Sequence, residues 1–194
     1  MKDLTIVIAA LVAFAFTLFS GYFVIPYLRK LKFGQTILED GPTWHKSKQG
    51  TPTMGGIMMI LGVVLALVVC VLYSVMTHNG FYSELLNKRR FITFLAGVLM
   101  ALCMAAIGFI DDYIKVVKKR NLGLTARQKT FFQLLVSAFY LVALSYGGMD
   151  TLYIPFLKEI DITSGFGLLF WPIALCFIYG FTNAVNLTDG IDGL

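Results

Sequence analysis

Two adjacent carboxylates, Asp111 and Asp112, directly follow residues 91–110, a run of twenty residues without a charged side chain. Like charges side by side at the edge of a low-dielectric region repel each other, so the pair is costly unless a cation or a donor group compensates it. Mg²⁺ is the natural partner, because it takes oxygen ligands and commonly bridges protein carboxylates and substrate phosphates. The structural alternative is an apolar helix that ends in polar residues at the membrane interface.

Basic side chains follow the two carboxylates closely. The seventeen residues 113–129 contain six of them: Lys115, Lys118, Lys119, Arg120, Arg127 and Lys129. In a helix, Lys115 and Lys119 would share a face with Asp111, because residues four positions apart are neighbours. Such lysines can neutralise phosphate groups. Cytoplasmic loops of membrane proteins are also basic for another reason, since positive charge sets their topology and attracts anionic lipids.

A second group of candidate residues lies in "WHKSKQGTPTMGG", residues 44–56. The Gly, Pro and Thr residues at 50–53 predict a constrained turn whose amides and hydroxyls can face a ligand, and Lys46 and Lys48 add positive charge. Gly55 and Gly56 are equally compatible with close helix packing. This segment alone is therefore a weak indication of a binding site.

The third group, "TNAVNLTDGIDGL" at residues 182–194, is more specific. Amides and carboxylates recur every three residues, which places them on neighbouring positions of an α-helix or a 3₁₀ end. They are Asn183, Asn186, Asp189 and Asp192, with Gly190 and Gly193 allowing a ligand to approach the backbone. Such a cluster can bind sugar hydroxyls, a base edge or a metal-phosphate group. The structural alternative is a helix C-terminus with turn-forming residues.

Composition indicates the elements that must position these groups. Hydrophobic residues make up 58% of the 194-residue chain, charged residues only 14%, and the mean hydropathy is +0.78, which excludes an ordinary soluble domain. Five apolar stretches reach the roughly 20 residues that a helix needs to cross about 30 Å of hydrocarbon. They are residues 4–28, 54–77, 91–110, 130–149 and 165–185.

These stretches predict an all-α, polytopic transmembrane helical bundle that forms a single integral membrane domain over residues 1–194. Long runs without alternation exclude a β-barrel. The first stretch is too long for a cleavable signal peptide and is followed by a basic loop, so it is read as the first span. Cys70, Cys103 and Cys176 all lie in apolar spans, where a thiol behaves as a small hydrophobe.

Basic residues also predict the orientation. The loops after the first and third spans contain eleven Lys and Arg residues, against five on the other side. By the positive-inside rule, the N-terminus is outside and all three candidate groups face the cytoplasm. On the opposite side, "TLYIPFLKEIDI" at residues 151–162 is compatible with a short external hairpin, to which we assign no chemistry.

At the three groups the sequence resembles the phospho-N-acetylmuramoyl-pentapeptide transferase family, within the polyprenyl-phosphate N-acetylhexosamine-1-phosphate transferase superfamily. The segment "HKSKQGTPTMGG" resembles that family's cytoplasmic signature, and "DDYIKVVKKRNLGLTARQK" resembles its Asp-Asp motif. The segment "NAVNLTDGIDGL" is similar to its nucleoside-site motif. The resemblance runs through all 194 residues, with the three motifs in order on one side of alternating spans.

The resemblance implies transfer of phospho-N-acetylmuramoyl-pentapeptide from UDP-MurNAc-pentapeptide to undecaprenyl phosphate, giving lipid I and UMP with Mg²⁺ as cofactor. It implies a multi-pass protein of the bacterial cytoplasmic membrane, acting in peptidoglycan synthesis with its active site on the cytoplasmic face. Membrane lipid is an expected partner and nucleic acid is not. A homodimer is compatible with the sequence, which does not set the oligomeric state.

By the same resemblance, Asp111 orients or deprotonates the lipid phosphate and Asp112 helps to hold Mg²⁺, so that both are candidate metal ligands. Candidate cations for the phosphates are Lys115, Lys119 and Lys129. The candidate substrate-binding residues are Lys48, Thr53, Asn183, Asn186, Asp189, Gly190, Ile191 and Asp192, the last three lining the uridine pocket. Direct attack by the lipid phosphate is favoured over a phospho-aspartyl intermediate, but both remain open.

The sequence departs from the family's pattern in two respects. Family members have about ten spans and a further metal-binding aspartate in their C-terminal half, so we expect this chain to be the N-terminal half of a longer protein and inactive alone. Asn121 and Leu122 also replace the Thr-Lys usual before the glycine of the second motif. The alternative functions are a GlcNAc-1-phosphate transferase of another envelope polymer and, outside enzymes, a membrane transporter.

Overall fold

A computed structural model describes residues 4–30, 54–118, 123–155 and 159–192, with the side chains of 188–192 left undescribed. Five of its helices are long and apolar enough to cross a membrane, which confirms the predicted helical membrane fold. The helices are α1 (Thr5–Lys30), α2 (Gly56–Thr77), α3 (Gly80–Leu86), α4 (Lys88–Val117), α5 (Ala126–Tyr146) and α6 (Phe170–Asp192). The side of the membrane that holds the N-terminus stays a prediction.

The elements fall into two compact units. The first contains α1, α2, most of α3 and the last part of α4 with the chain that follows it to Thr125. The second contains the first part of α4, all of α5, a small β-hairpin and almost all of α6. The prediction that the chain is a single membrane domain stays a prediction.

In the first unit, α1 and α2 form an antiparallel pair, held by a line of mostly small side chains. Every fourth residue of α2 is buried: Met58, Gly62, Ala66, Cys70 and Ser74. At Gly62 the approach is so close that a Cβ atom would lie 2.5 Å from Thr17 Oγ1 and 3.1 Å from the carbonyl oxygen of Ala13. In lipid there is no hydrophobic driving force for two helices to associate. Small residues that allow the backbones to approach closely therefore provide the packing.

Polar contacts join the start of α1 to the end of α2. The Cys70 thiol donates to the carbonyl oxygen of Thr5 at 3.4 Å, and the Asn79 amide donates to Thr5 Oγ1 at 3.0 Å. Thr5 begins α1, while Cys70 and Asn79 lie near and just beyond the end of α2, which fixes the antiparallel direction. Polar groups with no water to solvate them must find partners of this kind.

In the second unit, the first part of α4 lies beside α5. A Cβ atom at Gly147, just after α5, would overlap Thr93 Oγ1 near the start of α4, and one at Gly97 would touch the ring of Tyr140 at 4.0 Å. The beginning of α4 therefore lies at the end of α5, and the two helices are antiparallel.

The hairpin that the sequence suggested at residues 151–162 is present. Strand β1 (Thr151–Tyr153) pairs antiparallel with β2 (Glu159–Asp161), with Leu152 opposite Ile160. A 3₁₀ helix, Gly165–Leu169, follows and leads directly into α6.

Hydrogen bonds to the carboxylate of Asp161 hold the turn between β2 and the 3₁₀ helix. Its Oδ1 accepts from the main-chain amide and hydroxyl of Thr163 at 2.8 and 2.6 Å, and its Oδ2 accepts from Ser164 Oγ at 2.6 Å. The Ser164 hydroxyl, followed by the two Thr163 donors, lowers the pKa of this exposed carboxyl. The next residue, Ile162, is fully buried, and its carbonyl oxygen accepts from the Trp171 indole at 3.1 Å.

Candidate active site

Helix α4 does not end where its apolar run ends. It continues through Asp111 and Asp112 to Val117, about two turns beyond residue 110. The structural alternative, in which the helix simply stops at the interface in these two polar residues, is therefore not what the fold adopts. Because the helix continues, Asp111 and Lys115 lie one turn apart on the same face, as the spacing predicted.

Lys115 bridges the two carboxylates. Its Nζ lies 2.8 Å from Asp111 Oδ2 and 3.0 Å from Asp112 Oδ1. One ammonium group thus provides the compensating cation that two adjacent carboxylates require. Charge-assisted hydrogen bonds of this length are about twice as strong as neutral ones.

The two carboxylates differ sharply in burial. The side chain of Asp111 is 8% exposed, whereas that of Asp112 is 36% exposed. Asp111 is also bonded on its other oxygen, because the main-chain amide of Leu124 donates to Oδ1 at 2.8 Å. Asp111 is thus held at both oxygens, and Asp112 is the more accessible of the two carboxylates to a ligand outside the protein.

The chain beyond α4 folds back onto Asp111 through Gly123. A Cβ atom there would overlap Asp111 Oδ1 and would lie 2.5 Å from its main-chain oxygen and 2.8 Å from Cγ. Only a residue without a side chain fits at this distance. The sequence contains Gly123 and Leu124 inside the second motif, but no pattern in it indicates that they meet the carboxylate.

The structure describes one of the two remaining predicted cations. Lys129 lies in the first turn of α5 and is half-buried. It belongs to the second unit, whereas Asp111 and Lys115 belong to the first. Lys119 lies outside the described residues, so its predicted place on the Asp111 face stays a prediction.

The third group of candidates lies on the last part of α6, and one member is tied to α5. Asn183 Nδ2 donates to Gln133 Oε1 at 2.9 Å and to the carbonyl oxygen of Tyr179 at 2.8 Å. One turn earlier on both helices, the hydroxyls of Thr130 and Tyr179 are 3.0 Å apart. Two acceptors fix the amide nitrogen of Asn183, and its carbonyl oxygen must point away from both.

Sequence reasoning missed Gln133. It is only 2% exposed and stands in a stretch that is otherwise apolar. A buried amide in a membrane span is costly without a partner, and that was the signal that could have singled it out. Asn186, by contrast, is exposed on the α6 surface.

Several predicted substrate-binding residues have side chains outside the described part of the chain. Lys48 and Thr53 lie outside the described residues. The backbone of residues 189–192 continues α6 as a helix, in agreement with one of the two conformations expected for the third group, while their side chains are not described. The candidates concerned are Asp189, Gly190, Ile191 and Asp192.

The carboxylate pair fits a divalent cation in donor type but supplies few ligands. Within the described ranges there is no group of three or more His, Cys, Asp or Glu side chains. Mg²⁺ usually keeps several waters and is held by one or two carboxylates together with substrate phosphates. Asp112, which is partly exposed, is the better placed of the two for such a site, since Asp111 is bonded at both oxygens.

Comparison with known proteins gives a consistent family. Residues 94–194 match the model of glycosyl transferase family 4. A phospho-N-acetylmuramoyl-pentapeptide-transferase from Heliobacterium modesticaldum is 45% identical over 191 residues, which covers 96% of this chain and 52% of that protein. The protein of the same name from Bacillus subtilis is 39% identical over 195 residues, covering 100% of this chain and 55% of that protein. The chain thus spans about half the length of the curated relatives it matches.

Proposed function

The chain belongs to glycosyl transferase family 4, and from this premise we propose that its protein transfers phospho-N-acetylmuramoyl-pentapeptide from UDP-MurNAc-pentapeptide to undecaprenyl phosphate, giving lipid I and UMP. The observation that carries the proposal is the cluster of Asp111, Asp112 and Lys115 at the end of a long apolar helix. The names of relatives that align with the whole chain support the transferred group, phospho-N-acetylmuramoyl-pentapeptide.

The position of the cluster suits a lipid phosphate. A polyprenyl phosphate keeps its tail in the hydrocarbon and its phosphate at headgroup depth. Residues 91–110 of α4 are without charge, and the carboxylates follow in the next turn. We place this end of α4 at the cytoplasmic face of a bacterial cytoplasmic membrane, where basic residues are enriched.

The reaction we propose is a direct displacement. An oxygen of the lipid phosphate attacks the sugar-linked phosphorus of the UDP-sugar, the bond from that phosphorus to the bridging oxygen breaks, and UMP leaves with that oxygen. Asp111 supports this route over a phospho-aspartyl intermediate, because a carboxylate that is 8% exposed and held at Oδ1 by the Leu124 amide is poorly placed to approach phosphorus in line.

Lys115 is the mobile part of this arrangement. Its side chain is 35% exposed, and an arriving phosphate competes with both carboxylates for its ammonium group. When Lys115 turns to the phosphate, Asp111 Oδ2 becomes available to accept the lipid phosphate's proton. Phosphoryl transfer depends mainly on positioning and charge neutralisation, so this exchange of partners provides much of what the reaction needs.

In this proposal Asp112 would hold Mg²⁺ jointly with substrate phosphates, and Asp111 would be the second protein carboxylate at the ion. The ion would supply neutralisation of the negative charge on the transferred group. Lys119 and Lys129 would add positive charge to the phosphates. Lys48, Thr53, Asn183, Asn186 and Asp189 would contact the UDP-sugar, and Gly190, Ile191 and Asp192 would line the uridine pocket.

The test uses the complete gene product, purified in detergent and supplied with UDP-MurNAc-pentapeptide, undecaprenyl phosphate and Mg²⁺, with release of UMP as the readout. UDP-GlcNAc is the parallel substrate. UMP from the muramoyl substrate alone, abolished by Asp111→Asn in a folded variant, would support the proposal. UMP from UDP-GlcNAc instead would identify a GlcNAc-1-phosphate transferase, and UMP from neither would favour a transporter.

A further inference from the structure

The peptide group between Gly123 and Leu124 is built against Asp111. The Leu124 amide donates to Oδ1 at 2.8 Å, across thirteen residues of chain. A Cβ atom at Gly123 would overlap that same oxygen and lie 2.8 Å from Cγ. The contact is thus both a hydrogen bond and a steric fit, and neither depends on a charged side chain.

This contact removes the freedom of the Asp111 carboxylate. Leu124 holds Oδ1 and Lys115 holds Oδ2, so rotation of the carboxylate plane would break both interactions. Of the two holders, Lys115 is a long, partly exposed side chain that can leave, whereas the Leu124 amide is part of the backbone. When Lys115 turns to a ligand, the backbone contact is the one that still orients Asp111.

We propose that Gly123 and the Leu124 amide are positioning groups for Asp111, which aim its Oδ2 at the lipid phosphate during transfer. The inference rests on the proposed function. Neither group touches a reacting atom. Their effect comes through geometry, since displacement of a reacting group by about 1 Å can cost 100-fold in rate.

The competing interpretation is that the contact with Asp111 only stabilises the connection between α4 and α5. In that case its loss would lower the stability of the protein and would leave catalysis by the folded enzyme unchanged. The two interpretations differ in kinetics. A positioning role lowers kcat and leaves KM for both substrates unchanged, because the interaction is needed only as the transition state forms. A purely structural role lowers the amount of folded enzyme and leaves the kcat of the folded fraction as it was.

The first experiment compares Gly123→Ala with Gly108→Ala in the complete gene product. Gly108 is the matched control: it lies on α4 one turn before Asp111, and a Cβ atom there meets nothing within 4 Å. We expect Gly123→Ala to lower kcat about 100-fold at unchanged KM, and Gly108→Ala to match the wild type. Equal kcat in the two variants would overturn the inference.

A second variant covers the case in which Gly123→Ala does not fold. Replacing Leu124 by its α-hydroxy analogue converts the amide to an ester, which deletes the N–H donor and keeps the side chain. A fall in kcat of about 10-fold or more is expected, as for loss of a hydrogen bond to a charged group. An ester variant with wild-type kcat would overturn the inference.

Failure of the proposed function is recognised separately. If the wild type releases no UMP from either nucleotide sugar, the proposed function fails and the positioning role falls with it. If the wild type is active and either Gly123→Ala or the ester variant retains its kcat, only the inference fails. The contact itself is measured by NMR with ¹³C-carbonyl glycine and ¹⁵N leucine, which labels the Gly–Leu peptide bonds at 123–124, 167–168 and 193–194. The Gly123–Leu124 signal is assigned by its loss in Gly123→Ala. Its amide proton should shift in Asp111→Ala, and an unchanged shift would overturn the inference.

Discussion

The bridge that Lys115 makes between two carboxylates predicts unequal coupling energies. Lys115 Nζ lies 2.8 Å from Asp111 and 3.0 Å from Asp112, so distance hardly separates the two pairs. Burial does, because the Asp111 side chain is 8% exposed and that of Asp112 is 36% exposed. Water screens the second pair much more than the first.

The magnitude follows from that difference. A charge-assisted hydrogen bond to a largely buried carboxylate contributes about 1.5–3 kcal/mol, and an exposed ion pair about 0.2–1 kcal/mol. We therefore expect a coupling of about 2 kcal/mol between Lys115→Met and Asp111→Asn, and of less than about 1 kcal/mol between Lys115→Met and Asp112→Asn.

The burial of Asp111 also predicts how the effect of Asp111→Asn on stability changes between two backgrounds. In the wild type, Asp111→Asn should destabilise the protein, because it breaks the ion pair. In the Lys115→Met background the same substitution should be neutral or stabilising, because it removes a buried charge that has lost its cation.

The assay is a double-mutant cycle on the complete gene product at pH 7. The free energy of unfolding is measured by reversible titration with denaturing detergent in mixed micelles, followed by circular dichroism. Equal coupling for the two aspartates, or an Asp111→Asn effect that is the same in both backgrounds, would refute the reasoning from burial.

Three further predictions concern the fold. Gly62→Ala should lower the free energy of unfolding by about 1–3 kcal/mol, because a Cβ atom there meets Thr17 and the α1 backbone. The control is Gly56→Ala on the same helix, where a Cβ atom meets nothing within 4 Å. Equal unfolding midpoints for the two variants would contradict the close packing at Gly62. Gln133→Leu should lower the free energy of unfolding by about 1 kcal/mol, because it removes one acceptor of the Asn183 amide. The same titration measures this change, and an unchanged free energy of unfolding would show that the contact contributes nothing. Asp161→Asn should lower the unfolding midpoint at neutral pH. Folding lowers the pKa of the Asp161 carboxyl. The stabilisation by its ionised form is therefore present above the pKa of the unfolded state, about 3.9, and is lost as the pH falls through the pKa of the folded state. A difference between wild type and variant that persists at lower pH would contradict this assignment.

The helical membrane fold was predictable because it depends on composition and length alone. A bilayer leaves the backbone no solvent to bond with, so an apolar run of sufficient length forms a helix whatever lies beside it. The five spans were found for that reason. The β-hairpin was also predictable, since β-branched and aromatic residues flank its turn.

The ion pair of Asp111 with Lys115 was predictable for a similarly local reason, because helical spacing alone makes them neighbours. Helix ends were less predictable. Residues 111–117 are polar enough to lie outside the hydrocarbon, and hydropathy cannot distinguish a helix that stops at the interface from one that continues into water.

Sequence by itself thus determined the membrane class, the spans, the family resemblance and the residue types available for the proposed phosphoryl transfer. Tertiary structure alone decided which of two adjacent, chemically identical carboxylates is buried and held at both oxygens, and which is more accessible to a ligand. The physical reason is that the partners that separate them come from distant parts of the chain. The Leu124 amide reaches back over thirteen residues to Asp111, and Gly123 leaves the space that allows it, and no local pattern encodes that meeting.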